Sequence, residues 1–191
     1  KPNEVLKRIE FFSYINRIFN FEEKATINFS DVISGSDDGV EVAKAVAAGY
    51  LQGDAKKKVY PYQPILKADA AVILAKMFEL KASDTDKLKK FSDWDKITVS
   101  QRDAVSALVE KGYMTGGSDG KFSPWTNLTR ADVIGITDKV LGSIFNSSGT
   151  YKGNIKGNAI INTESVVLKD ATIEGNLYLA QGIGDGDVTL D

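Results

Sequence analysis

Three basic residues stand at matching places in this chain, each two positions ahead of an acid: Arg8 before Glu10, Lys67 before Asp69, and Arg130 before Asp132. Each pair opens a stretch of helical periodicity. A cation placed there suits a carboxylate-bearing ligand for two reasons. Arginine presents a planar fork for bidentate binding, and the first turn of a helix adds free N–H groups and the positive end of its dipole. Lys67 keeps the charge without the fork, so it is expected to bind less specifically than Arg130. Both arginines could equally pair with nearby acids. Asp31 and Asp93 each end an aromatic-Ser-Asp tripeptide, Phe29-Ser30-Asp31 and Phe91-Ser92-Asp93. They can accept a hydrogen bond from a ligand hydroxyl or cap the turn that follows. Trp125 and Trp94 offer flat faces for stacking, and Tyr62 is the counterpart of Trp125.

Composition closes off most other chemistry. The chain has 191 residues and contains no histidine and no cysteine, so it can build no Ser-His-Asp or Cys-His arrangement, no disulfide and no zinc site of His or Cys ligands. The carboxylate pairs Asp37-Asp38, Asp84/Asp86 and Asp185/Asp187 invite a calcium or glycosidase reading. None falls in an EF-hand pattern, and no cofactor is expected. Lys and Arg number 24 against 26 Asp and Glu, a formal net charge of −2 with no long single-sign block. A nucleic-acid binder normally shows a strong basic patch. Lys56-Lys57-Lys58 reads as a solvated loop. No apolar run approaches the roughly 18 residues that span a bilayer, and the Lys-Pro-Asn-Glu opening is no signal peptide. Removal of a leader would leave the same appearance.

The elements that must position these residues have two textures. Residues 1–145 carry apolar positions at helical spacing over 5–21, 40–49, 68–80, 102–111 and 131–144. Beyond Phe145 the chain turns to Gly, Asn, Thr, Val and Ile in short pieces, with strands expected at 158–162, 166–170, 176–180 and 188–191. The turn-forming residues 146–150 mark a linker between the two parts.

The helical part repeats. Phe29-Ser30-Asp31 recurs 62 positions on as Phe91-Ser92-Asp93, and Gly49-Tyr50-Leu51-Gln52-Gly53 recurs 63 on as Gly112-Tyr113-Met114-Thr115-Gly116. Pro61, Lys67 and Asp69 fall on Pro124, Arg130 and Asp132 at that same offset. A partial copy lies 59 ahead, with Pro2, Arg8 and Glu10. The units are 1–22 (partial), 23–83 and 84–145. In each full unit an aromatic-Ser-Asp opening leads to a helix stopped at Gly-Tyr. A glycine turn and an extended proline segment then deliver a second helix. Thr129 can cap that helix in the last unit, with an acid three residues on, whereas Leu66 cannot, so that start is expected to be less well held. The second helices are apolar over a wide face and are expected to pack on one another, with Phe29, Phe91 and Phe122 as core anchors. Units of this kind bury their faces only by association.

At these residues the chain resembles the S-layer homology (SLH) domain. The features are Phe29-Ser-Asp31, residues 43–53, Tyr60-Pro61 and Leu66-Lys-Ala-Asp69 in one copy. The next copy has Phe91-Ser-Asp93, residues 104–116, Phe122-Ser-Pro124 and Thr129-Arg-Ala-Asp132. The resemblance implies an α-helical pseudo-threefold bundle of three units, the first lacking its N-terminal half. It implies non-covalent attachment of a surface protein to a secondary cell-wall polysaccharide, often pyruvylated, at the cell surface. It also implies grooves between units, in which the motif Arg and the opening Asp contact the glycan and glycines near the turn, Gly49 and Gly112, allow close approach. The site set is therefore Arg130, Asp93, Asp31, Lys67, Arg8, Trp125, Gly49 and Gly112, with the tryptophan faces available to a sugar ring. The groove containing Arg130, shared with Asp93 or Asp31, is expected to be the principal one. This chain departs from the family with Lys67 in place of Arg and with Asp closing the motif in both full units.

The tail, residues 151–191, reads as a short all-β, parallel β-solenoid-like segment. Val166-Val-Leu-Lys-Asp170 and Asp187-Val-Thr-Leu-Asp191 are similar strands 21 positions apart, giving barely two turns. They resemble the opening turns of a pectate-lyase-like β-helix, of which the rest lies beyond residue 191. Two functions fit: a wall-polysaccharide anchor without enzymatic activity, or the tether of an extracellular polysaccharide-degrading enzyme. Self-association in an S-layer is a third possibility.

Overall fold

The computed structural model describes residues 1–191. Five α-helices come first: α1 (Arg8–Phe19), α2 (Asp37–Ala47), α3 (Lys67–Met77), α4 (Val99–Glu110) and α5 (Arg130–Leu141). Six strands follow: β1 (Ser143–Phe145), β2 (Gly149–Ile155), β3 (Ala159–Ile161), β4 (Val166–Ile173), β5 (Leu177–Leu179) and β6 (Val188–Leu190). The protein is a mixed helical and parallel-strand structure.

The segments leading into α1, α3 and α5 close on one another in a ring. Leu6 N–H donates to Leu128 O, Leu128 N–H to Ile65 O, and Ile65 N–H to Leu6 O, each at 2.9 Å. The next layer repeats the cycle: Arg8 N–H to Gln63 O, Lys67 N–H to Thr126 O, and Arg130 N–H to Glu4 O. A third has Ile9 N–H on Pro61 O, Ala68 N–H on Pro124 O, and Ala131 N–H on Pro2 O. Every bond recurs at the offsets of the sequence repeat. The ring also answers the weak helix start at Leu66. No side chain caps α3 there, but its first two N–H groups, which have no partner within the helix, are taken by Thr126 and Pro124. At α5 the ring works beside a capping box, in which Thr129 Oγ1 accepts from Asp132 N–H and the Asp132 carboxylate accepts from Thr129 N–H.

The second helices meet at their entrances and do not form the closest pairs. Close packing joins α1 to α2 and α3 to α4, each between neighbouring units. Helix α5 has no such partner, and its surface records the difference. Phe12 and Ala71 are each 0% exposed, whereas Ile134, at the matching position of α5, is 58% exposed. One core nonetheless runs through all five helices, built on Phe11, Phe12, Ile15, Ile65, Leu74, Leu108 and Phe122.

The strands form two parallel sheets, β1-β3-β5 and β2-β4-β6. Each is three strands deep, against the two turns expected from the sequence. The pairing of β4 with β6 sets Val166 against Val188 and Leu168 against Leu190, an offset of 22 rather than 21. The correction has a physical basis. Side chains alternate faces, so a slip by one to an offset of 21 would set Val166 and Leu168 against the polar Asp187 and Thr189 instead of Val188 and Leu190. A small core of Phe145, Ile155, Ala159, Ile161, Val166 and Leu168 lies within this part.

The chain leaves the helices at Gly142, ahead of the 146–150 stretch marked as a linker. Gly142 has φ of 65°, and a Cβ there would stand 2.2 Å from the Asn158 carbonyl oxygen. Only glycine fits. Residues 143–145 already pair with 159–161, and β2 begins at Gly149, so 146–148 are a corner between strands. The two parts are also fastened together. Asn158 Nδ2 donates to Val140 O at 2.6 Å, and Asn162 Nδ2 to Ile18 O at 2.7 Å. Tyr178 meets Phe78 edge-on at 4.9 Å, and Ile160 and Ala180 join the helical core.

Candidate ligand grooves between units

The three motif cations have unequal surroundings. Arg8 is enclosed, with its side chain 15% exposed. Its Nε donates to Val59 O at 3.0 Å, an η-nitrogen meets Asp69 at 3.0 Å, and the guanidinium lies 5.5 Å from the Phe12 ring. Burial pushes its pKa down, against the opposing pull of Asp69 and Asp31. Gln101 from α4 takes the other Asp69 oxygen at 3.1 Å. The charge at this position is already matched by Asp69.

Arg130 is half exposed and pairs with Glu10, with Glu4 also within 3.9 Å of its Nε. It does not meet Asp93 or Asp31, contrary to the expectation of a shared groove. The opening aspartates lie one unit along from the cations they face, Asp31 near Arg8 and Asp93 near Lys67. Residues 1–22 carry no aromatic-Ser-Asp tripeptide to face Arg130. Glu10 neutralises it, as Asp69 does Arg8.

Lys67 is the only one of the three cations with no salt-bridge partner. Its Nζ donates to Thr115 O at 2.7 Å and Phe122 O at 2.8 Å, and sits 4.3 Å from the centre of the Phe122 ring. An ammonium has three donors, so one remains. Burial lowers its pKa, with Asp93, Asp132 and Asp119 acting in the opposite sense. Asp132, which occupies the place that Asp69 and Glu10 hold for the arginines, is engaged elsewhere: one oxygen accepts from both Thr129 N–H (2.9 Å) and Thr129 Oγ1 (2.6 Å).

Asp31 and Asp93 serve the backbone. Asp93 is 6% exposed and accepts from Phe122 N–H at 2.8 Å and Ser123 N–H at 2.9 Å, one on each oxygen. Asp31 does the same for Val59 (3.2 Å) and Tyr60 (2.8 Å). Each carboxylate thus holds the extended segment whose carbonyl receives the neighbouring unit's cation, Val59 O for Arg8 and Phe122 O for Lys67. Neither of the two roles open from sequence describes these contacts: the carboxylates hold backbone 28–30 residues further along the chain, and Asp93 makes no side-chain bond to the turn that follows it.

The glycines sort the same way. Gly49 and Gly112 have φ of 80° and 72° with open space where a Cβ would stand, so the requirement there is the left-handed backbone at a helix end. Close approach belongs to Gly53 and Gly116, where a Cβ would fall 2.5 Å from the rings of Phe29 and Phe91. Trp125 is 49% exposed and does not itself line the Lys67 groove, although Ser123 and Thr126 to either side of it in sequence do. Trp94 already carries Arg102 at 4.8 Å and Lys89 at 5.9 Å on its ring.

Two clefts open between units. The larger, about 1010 Å³, lies among α1, α2 and α5 and is lined by Arg130 and Arg17 against Glu10, Asp37, Asp38 and Glu41. The smaller, about 470 Å³, lies between α5 and the 113–126 segment. Lys67 and Lys139 line it against Asp132 alone, with Thr115, Ser123 and Thr126 beside them. Acids outnumber bases in the first and bases outnumber acids in the second. The second is the one that suits an anion.

Comparison with known proteins agrees with these repeated modules. The S-layer homology domain model matches residues 28–71 and 90–134, the first match carrying Asp31 and Lys67 and the second Asp93 and Arg130. Two S-layer homology repeats are therefore present in this chain. Among curated proteins, the amylopullulanase of Thermoanaerobacterium thermosulfurigenes is 28% identical over 140 residues, which is 71% of this chain. The chain spans 8% of that relative's length. No helix is long and apolar enough to cross a membrane.

Proposed function

We propose that residues 1–145 attach the protein non-covalently to the cell wall by binding a carboxylate-bearing wall polysaccharide, with the Lys67 groove as the principal site. S-layer homology domains anchor surface proteins to the cell wall, which supports a location at the cell surface. The observation that carries the choice of groove is the Lys67 ammonium, unpaired with any carboxylate and set among hydroxyls in a cleft where bases outnumber acids. A pyruvylated sugar supplies the carboxylate that Lys67 lacks, and its hydroxyls face Thr115, Ser123 and Thr126. Trp125, exposed and next in sequence to the lining residue Thr126, offers a face for a sugar ring. Arg130 is a second contact, open only to a ligand that displaces Glu10. Arg8, Asp31, Asp93, Gly49 and Gly112 shape the grooves.

The closed ring of backbone bonds supports reading the helices as a pseudo-threefold bundle of units 1–22, 23–83 and 84–145. The stacked parallel sheets support reading the tail as β-solenoid turns. A second reading of the whole, in which this region tethers an extracellular polysaccharide-degrading enzyme, is favoured by the amylopullulanase relative. Both readings give residues 1–145 the same task.

Titration calorimetry with pyruvylated wall glycan tests the groove. Losing a charged partner of a carboxylate costs about 1.5–3 kcal/mol, one to two decades in affinity. Lys67→Ala should weaken binding by that much and Arg130→Ala by clearly less. Binding that survives Lys67→Ala and is lost in folded Arg130→Ala would overturn the assignment.

A further inference from the structure

The two clefts repeat one wall and the motif cation that faces it. Glu10, Ser13 and Arg17 of α1 line the Arg130 cleft, and Asp132, Gly135 and Lys139 of α5 line the Lys67 groove. These residues correspond one for one at the combined repeat offset of 122. Each cleft therefore holds two cations. One is the motif cation at the entrance of its own helix. The other, Arg17 or Lys139, stands seven residues along the neighbouring unit's helix from the motif acid. At 1.5 Å rise per residue that separation is about 10 Å. Neither Arg17 nor Lys139 forms a salt bridge, and both are exposed. In the Lys67 groove the floor between the cations is bare. Gly135 stands where α1 has Ser13 and α3 has Val72, and a Cβ on it would meet nothing within 4 Å. Mid-helix glycine costs about 1 kcal/mol relative to alanine, and here no packing neighbour requires it.

We infer that Lys139 forms a second anion subsite in the Lys67 groove, reached across Gly135, so that the groove selects glycans carrying a second anionic group. This rests on the reading of Lys67 as the primary contact. An entering chain lays its first carboxylate on Lys67, passes over the open floor at Gly135, and brings its next negative charge to Lys139. Because Lys139 is exposed, its contribution is modest and falls with salt.

The experiment compares two probes on the full chain: a pyruvylated monosaccharide with a single carboxylate, and a wall-glycan fragment carrying a second anionic group. Lys139→Ala should weaken the fragment about three- to five-fold and leave the monosaccharide unchanged, with Lys139→Arg restoring the fragment. Gly135→Leu should likewise penalise the fragment more than the monosaccharide, and circular dichroism verifies that each variant keeps its helices. Equal effects of Lys139→Ala on both probes, or none on either while Lys67→Ala still weakens both, would overturn the second subsite. If Lys67→Ala changes neither probe, the primary reading of the groove fails, and the subsite with it.

Discussion

Asp93→Ala separates a residue that builds the groove from one that touches the ligand. The carboxylate is almost fully buried and each oxygen takes one backbone N–H, from Phe122 and from Ser123. Hydrogen bonds to a charged group contribute about 1.5–3 kcal/mol each. These two share one carboxylate, so their loss is not a simple sum. A combined cost of about 3–5 kcal/mol matches the removal of a buried charged partner. Asp31→Ala breaks the same arrangement in the preceding unit, but Asp31 is less buried and one of its bonds is longer, 3.2 Å. About 1–3 kcal/mol is expected there. Asp93→Asn should fall between wild type and Asp93→Ala, because its amide nitrogen confronts one of the two N–H donors. Urea unfolding followed by circular dichroism gives these differences, provided the m value stays constant. Phe122 also carries the carbonyl and the ring beneath Lys67, so glycan affinity should fall together with stability. An Asp93→Ala protein that loses less than about 1 kcal/mol of stability yet no longer binds glycan would identify Asp93 as a ligand contact and refute this reasoning.

Two further outcomes follow from the same structure. Burial holds the folded-state pKa of Lys67 below the ordinary 10.5 of a lysine, and its charged form is the one that binds a carboxylate. Affinity should therefore decline as pH rises through that lowered value, and Lys67→Arg should keep binding across the same range. The linkage to folding has the opposite sign, because the charged form is the one disfavoured in the folded state: this lysine's contribution to stability grows between the lowered pKa and 10.5. Phe12→Ala should cost about 3–5 kcal/mol in thermal or urea unfolding, whereas Ile134→Ala, at the matching but exposed position of α5, should cost well under 1 kcal/mol.

The repeat was legible because the same physical demands recur at fixed spacing. A left-handed helix end requires glycine at 49 and 112, and a glycine at 53 and 116 lets an aromatic ring lie against the backbone. An acid at 31 and 93 holds the same two N–H groups of the following segment. Such local requirements leave their mark on residue identity, so the five helices and the candidate cations could be placed from the chain alone. The strand register could not. Matching the two five-residue strands end to end, Val166–Asp170 with Asp187–Asp191, gives an offset of 21, whereas the pairing of Val166 with Val188 and Leu168 with Leu190 fixes it at 22. The turn-forming composition of 146–150 describes a corner between strands as well as a join between domains, and β1 ends at Phe145 and β2 begins at Gly149 on either side of that corner.

What the sequence by itself determined is the set of parts: a thrice-repeated cation and acid, two opening aspartates, and a change from helical to strand periodicity. Which cation stays available was decided by tertiary structure, and it reversed the order that residue type suggests. Arginine's fork and Thr129's cap favour Arg130, but the value of a charge depends on what stands opposite it. The ring of backbone bonds brings Glu10 to Arg130 and Asp69 to Arg8. Asp132, the corresponding acid for Lys67, gives one oxygen to Thr129 and makes no ion pair with Lys67. The longer Glu10 side chain holds Lys7 N–H with one oxygen and Arg130 with the other. Residues 122 positions apart settle that competition, and no local pattern records its result.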